Sequence, residues 1–142
     1  MEGYSIEQEQ DKEKNKVIAL YIDDSKEIIR LLKHIWGDNQ NVDFIECYSV
    51  EDALKAIENK NPNIVFIDNS LSGSDTNEGL EIADRIKGKG IKIYSTTDND
   101  SVALEYEKRG IEKVDKTDTH RIKSIVAEWL AKNQSQEEKS KD

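Results

Sequence analysis

Five short apolar runs, each closed by polar residues and followed by an amphipathic stretch, constrain this chain more than any other feature of it. The first run, Val17-Ile18-Ala19-Leu20-Tyr21-Ile22, has strand length and stops abruptly at Asp23-Asp24. Similar runs follow at Val42 to Cys47, Ile64 to Ile67, Ile91 to Ser95 and Ile111 to Val114. The intervening segments carry apolar residues at helical spacing. Ile28, Ile29, Leu31, Leu32, Ile35 and Trp36 lie between a capping Ser25 and a terminating Gly37. Ala53, Leu54 and Ile57 follow the capping pair Ser49 and Asp52 and end at Asn61-Pro62. Leu80, Ile82, Ala83 and Ile86 form a third helical face, closed by Gly88 and Gly90. A fourth helix opens at Asp98 to Asp100 and runs through Arg109 to a cap at Gly110; the last aligns Ile122, Ile125, Val126, Trp129 and Leu130.

Strands alternating with helices imply a parallel sheet, because parallel neighbours need a crossover and the crossover is usually a helix. The expected fold class is therefore α/β, a doubly wound five-stranded sheet with helices on both faces. Such sheets bind ligands beyond the carboxyl ends of the strands, where the strand order reverses. Asp23, Asp24 and Asp68 all fall at strand carboxyl ends.

Only one folded domain is expected within these 142 residues. It spans residues 17–132, between a polar segment at 1–16 and a polar tail at 133–142, both without a periodic apolar face and both expected to be flexible. A net charge of -9 repels nucleic acid, which removes direct DNA binding from the expected functions. No apolar run approaches membrane-spanning length and the single cysteine, Cys47, reads as a small buried side chain, so a cytoplasmic, membrane-free protein is expected.

Two adjacent carboxylates after the first strand and a third after the third strand would repel one another in a shared crevice. A cation stabilises such a cluster, and Mg²⁺ suits it best, because it takes hard oxygen ligands and keeps waters. The same ion would neutralise a phosphoryl group attacked by a carboxylate. Lys116 follows the fifth strand, and Ser95, Thr96 and Thr97 follow the fourth, where an ammonium and a hydroxyl could meet phosphoryl oxygens. Taken singly, each has a plainer reading: strand-end Asp residues cap helices, Ser and Thr make turns, and a lysine is solvated. Their concentration at one edge is the signal. His34 and His120 lack metal-like spacing, and no GxxxxGK[ST] or GxGxxG turn follows any strand, so a nucleotide enzyme loses support.

Tyr21-Ile22-Asp23-Asp24-Ser25, Phe66-Ile67-Asp68, the hydroxyl run after strand four and Lys116 resemble the response-regulator receiver family over about residues 17 to 132. The resemblance implies a flavodoxin-like sheet of order 2-1-3-4-5. It implies Mg²⁺ held by Asp23, Asp24, Asp68 and the backbone carbonyl of Ser70. Asp68 would be phosphorylated by a histidine kinase or phosphotransfer protein, and Ser95 or Thr96, with Lys116, would sense the phosphoryl group. Spacing back from Gly110 favours Ser95, the apolar pattern of the strand favours Thr96, and both stay open. Output would pass to an unknown downstream protein, from a monomer or a phosphorylation-linked dimer, by way of the fourth helix, fifth strand and fifth helix.

The chain departs from the family pattern in several places. Lys116 is followed by Thr117 where the family usually has proline. The segment Ser70 to Glu78 is long and lacks the customary proline, and Lys113 stands where an aromatic switch residue often sits. These departures motivate an alternative, a pseudo-receiver that binds partners without phosphorylation. A haloacid-dehalogenase-like phosphatase ranks last, because it would need an Asp two places after its nucleophile and Ser70 stands there.

Overall fold

The structure, a computed structural model, describes residues 16–23, 25–36, 41–68, 78–97 and 99–141. Five strands form one sheet: β1 (Val17–Ile22), β2 (Val42–Cys47), β3 (Ile64–Ile67), β4 (Lys92–Ser95) and β5 (Glu112–Lys113). Their order is β2-β1-β3-β4-β5 and every pairing is parallel. The helices are α1 (Lys26–Trp36), α2 (Val50–Lys60), α3 (Glu78–Ile86), α4 (Asp100–Lys108) and α5 (Thr119–Lys141). The expected doubly wound α/β fold is therefore the observed one.

Side chains alternate across the sheet and build two cores. Val17, Ala19 and Tyr21 join Leu32, Ile64, Phe66, Tyr94 and the α5 residues Ile122, Ile125 and Val126 on one face. Leu20 and Ile22 join Val65, Ile67, Ile57, Ile82 and Ile86 on the other. All four β3 residues are buried, so the strand reads as a continuous apolar run because both of its faces are covered. A row of rings crosses the first face: Tyr21 lies 6.1 Å from Phe44 and 5.7 Å from Phe66, which lies 5.5 Å from Tyr94. Offset and tilted rings at these separations add to the area they bury. Cys47 is buried, and burial, then the nearby Asp52 and Glu46 carboxylates, push its thiol up to about 12.

The cysteine gives a pH prediction. Below about pH 9 the thiol is protonated folded or unfolded; above it the unfolded chain ionises while the buried thiol keeps its proton. Stability should therefore fall as pH rises from about 9 to about 12, by up to ~4 kcal/mol. Urea unfolding of the wild type and of Cys47→Ala across that range checks it, the slope being smaller in the variant. Native Cys47 should also resist alkylation until the protein unfolds.

Local signals behave as their chemistry requires. Ser49 caps α2 by accepting the Asp52 N–H at 3.1 Å, and Asn61 ends that helix in the left-handed region at φ 48°. Ser49→Ala should cost about 1 kcal/mol in urea unfolding. Gly110, at φ 75°, turns the chain from α4 toward β5, a conformation that a side chain would strain.

Some boundaries differ from the expectations. β5 is two residues long, with Ile111 and Val114 buried on either side of it. The backbone of α5 runs past Lys132 to Lys141, because Gln, Glu and Lys favour helix and no Gly or Pro interrupts them. The segment at 1–15, Asp24, the Trp36 side chain, the loop holding Ser70 and the side chains at 133–141 lie outside the described residues. No helix among the described residues is long and apolar enough to cross a membrane.

Candidate functional site

The strand order reverses at β1, which crosses over through α1 to β2 on one side and pairs with β3 on the other. Register then fixes which residues meet at the carboxyl edge. Ile22 is paired with Ile67, and Ile67 with Ser95. One residue further along each strand stand Asp23, Asp68 and Thr96, side by side across three neighbours. Backbone bonds extend the ladder to these positions. The Asp68 N–H donates to the Ile22 carbonyl at 2.9 Å, and the Thr96 N–H to the Ile67 carbonyl at 2.9 Å. The Asp23 N–H donates to the Cys47 carbonyl at 3.1 Å.

Asp23 is fully buried and Asp68 nearly so. The Asp23 Oδ1 accepts the Ser25 N–H at 2.9 Å, a side-chain turn that carries the chain into α1. The sequence assigned that entry to Ser25 alone, but Asp23 also shapes the loop, because its short side chain reaches the backbone two residues on. Burial of two adjacent carboxylates favours a positive charge beside them, and their hard oxygens are the donors a small divalent cation prefers. Asp24 and Ser70, the other expected ligands, lie outside the described residues, within which no group of three metal-binding side chains forms. Both histidines are exposed.

The three hydroxyls at the end of β4, Ser95, Thr96 and Thr97, are all buried but differently engaged. The Ser95 Oγ accepts the Thr97 N–H at 3.4 Å, and the Thr97 Oγ1 accepts the Asn99 N–H at 3.2 Å. The Thr96 Oγ1 has no hydrogen-bond partner among the described residues. A buried unpaired hydroxyl costs free energy unless something is there to use it.

Lys116 is half-buried in the turn after β5. That strand is anchored where the Val114 N–H donates to the Ser95 carbonyl at 2.7 Å, so the lysine leaves from the same edge. The Asp115 Oδ1 accepts both the Thr117 N–H at 2.9 Å and the Thr117 hydroxyl at 2.7 Å. Those two bonds, backbone first, hold the Asp115 carboxyl below its usual range. No peptide bond among the described residues is cis, so Lys116-Thr117 is trans and the Asp115 turn brackets the lysine. Asp-x-Thr is a turn signal that could have been seen in the sequence.

One neighbour was missed. Tyr106 on α4 is fully buried, and burial, then the Asp68 carboxylate, raise its phenol. Its place on the inner helix face, four residues before Gly110, was the available signal.

An acidic crevice at the switch point of a doubly wound sheet defines a class of phosphoryl- or ligand-binding α/β domains. Comparison narrows the class. The response regulator receiver domain profile matches residues 19–126, and the chain belongs to that family. It is thus a receiver domain of the two-component signal-transduction type, a family that is generally not catalytic and whose members typically bind Mg²⁺. No curated protein matches. Among solved structures, the signal receiver domain of a putative Luxo repressor protein from Vibrio parahaemolyticus aligns at TM-score 0.69 and 21% identity, covering 86% of this chain and 95% of that one. A CheY-like receiver domain protein from Methanospirillum hungatei gives 0.68 and 19%, covering 85% and 98%. The receiver domain of NtrX from Brucella abortus gives 0.61 and 27%, covering 79% and 96%.

Proposed function

We propose that Asp68 accepts a phosphoryl group from a histidine kinase or phosphotransfer protein, and that the altered surface then signals to a partner protein. The observation that carries this reading is the row Asp23, Asp68 and Thr96, set side by side at the strand-order reversal by the pairings Ile22–Ile67 and Ile67–Ser95. Asp68 is the nucleophile: a carboxylate oxygen bonds to phosphorus while the donor's bond to that phosphorus breaks. Asp23, with Asp24, Asp68 and the Ser70 carbonyl, would hold Mg²⁺. When bound, the ion neutralises charge on the transferring group.

Thr96, rather than Ser95, is the hydroxyl we assign to the phosphoryl oxygens. It stands in register with Asp68, and its oxygen is uncommitted among the described residues, whereas the Ser95 oxygen already receives the Thr97 N–H. Lys116 supplies a positive charge at the same edge, steadied by the Asp115 turn. Positioning and charge neutralisation account for most phosphoryl-transfer catalysis, so the domain's own chemistry is confined to gaining and hydrolysing its phosphoaspartate. Cytoplasmic location and an unbound monomer, or a dimer formed on phosphorylation, complete the reading.

A second reading, the phosphorylation-independent pseudo-receiver, is favoured by Lys113, which is exposed on β5 where the family often carries an aromatic. Acetyl phosphate or beryllofluoride with Mg²⁺ separates the two. The first reading requires Mg²⁺-dependent modification of Asp68, detected by intact mass or ¹⁹F NMR; the second requires none. Thr96→Val should then shorten or slow that modification more than Ser95→Ala does.

A further inference from the structure

We propose that Tyr106 couples α4 to the state of Asp68, a role that rests on the reading of Asp68 as phosphoacceptor. Tyr106 is the single fully buried side chain of α4. Val102 and Ala103 are half-buried, and Leu104 is 57% exposed. The helix therefore rests on the core through one fully buried side chain, with Val102 packed partly buried beside it, and a helix with so few buried apolar contacts is a low-stability element able to shift as a unit.

That anchor is seated next to the site. Tyr106 shares its core with Ile67, the residue before Asp68, and with Leu80, Ile82 and Ala83 of α3. Asp68 follows Ile67 directly at the end of β3, and its carboxylate adds to the burial that raises the phenol. Adding a phosphoryl group moves negative charge off the carboxylate and increases it, so the field at the phenol changes when Asp68 is modified.

The helix end passes such a change onward. The Tyr106 carbonyl accepts the Arg109 N–H and the Ile111 N–H, both at 3.0 Å, and Ile111 leads directly into β5 and toward Lys116. The Arg109 side chain holds Asp84 of α3, Nε to Oδ1 at 2.8 Å, which gives the moving end a fixed reference on the neighbouring helix. With Lys113 exposed on β5, the buried aromatic in this region lies on the helix instead of the strand. Coupling thus needs no aromatic on β5.

Hydrogen exchange of the full chain, with Mg²⁺ and with or without beryllofluoride, tests this in the wild type and in Tyr106→Phe, which keeps the ring and removes the hydroxyl. Beryllofluoride uptake is followed in parallel by ¹⁹F NMR. Uptake by both proteins, with the beryllofluoride-dependent change in protection over 100–113 at least halved in the variant, is the expected result. Because linkage is reciprocal, a weaker beryllofluoride affinity in a variant that keeps wild-type thermal stability counts in the same direction. Equal responses in the two proteins, or uptake by the wild type with no response in α4, overturns the coupling while leaving Asp68 as acceptor. Absence of uptake in the wild type overturns the acceptor reading itself.

Discussion

Asp68→Asn should abolish Mg²⁺-dependent labelling by acetyl phosphate, a loss of more than about 10³-fold in rate, while the domain stays folded. The amide has nearly the shape of the carboxylate, so the backbone bond from the Asp68 N–H to the Ile22 carbonyl should survive. What disappears is the negative oxygen that attacks phosphorus and one hard ligand of the expected cation. Asp23→Asn should also lower labelling, through weaker cation binding. It should act less steeply and be partly offset by raising Mg²⁺, because Asp23 does not bond to phosphorus. Rates followed by intact mass over a Mg²⁺ titration distinguish the two variants. Full labelling of the Asp68→Asn protein would place the acceptor elsewhere, and labelling indifferent to Mg²⁺ would remove the cation from the scheme.

Phe66→Ala should cost about 3–5 kcal/mol, a large share of the ~5–15 kcal/mol that holds a domain of this size together. Phe66 is fully buried in the middle of the sheet, with the Tyr21 ring on one side and the Tyr94 ring on the other. Truncation there removes the largest side chain of β3 and leaves a cavity in a strand covered on both faces, where collapse is difficult. Phe66→Leu should cost far less, under about 1.5 kcal/mol, since volume is mostly kept. Urea unfolding by circular dichroism measures both. A loss below about 1 kcal/mol for the alanine variant would mean that the ring row is not the packed core it resembles. Because Phe66 lies two residues before Asp68, beryllofluoride uptake by the leucine variant also shows how far the site depends on the packing beneath it.

The alternation of apolar runs and amphipathic stretches was enough to obtain the class of fold. Val17 to Ile22 and Ile64 to Ile67 have no other economical reading than buried parallel strands, and Asp23 and Asp68 follow them in the chain. The acidic residues were legible for the same reason: a strand that stops at a carboxylate delivers it to the sheet edge wherever the strand lies. Helix ends were legible where one residue's chemistry decides them, as at Ser49, Asn61 and Gly110. At the entry to α1 the sequence pointed to Ser25 but not to the bond that Asp23 accepts from its N–H, which depends on a side-chain torsion.

Register and burial could come only from the tertiary structure. Ser95 and Thr96 both stayed open in the sequence, because spacing back from Gly110 and the apolar pattern of the strand point to different residues; the pairing of Ile67 with Ser95 puts Thr96 beside Asp68. Tyr106 carried no signal apart from its helical phase, and its nearness to Asp68 arises from packing α4 against a strand some forty positions earlier in the chain. The sequence by itself determined which groups reach the carboxyl edge of the sheet, because strand and helix periodicity are local properties. Which of those groups stand next to Asp68 was decided by the sheet order and the packing of the helices, since both depend on contacts between residues far apart in the chain.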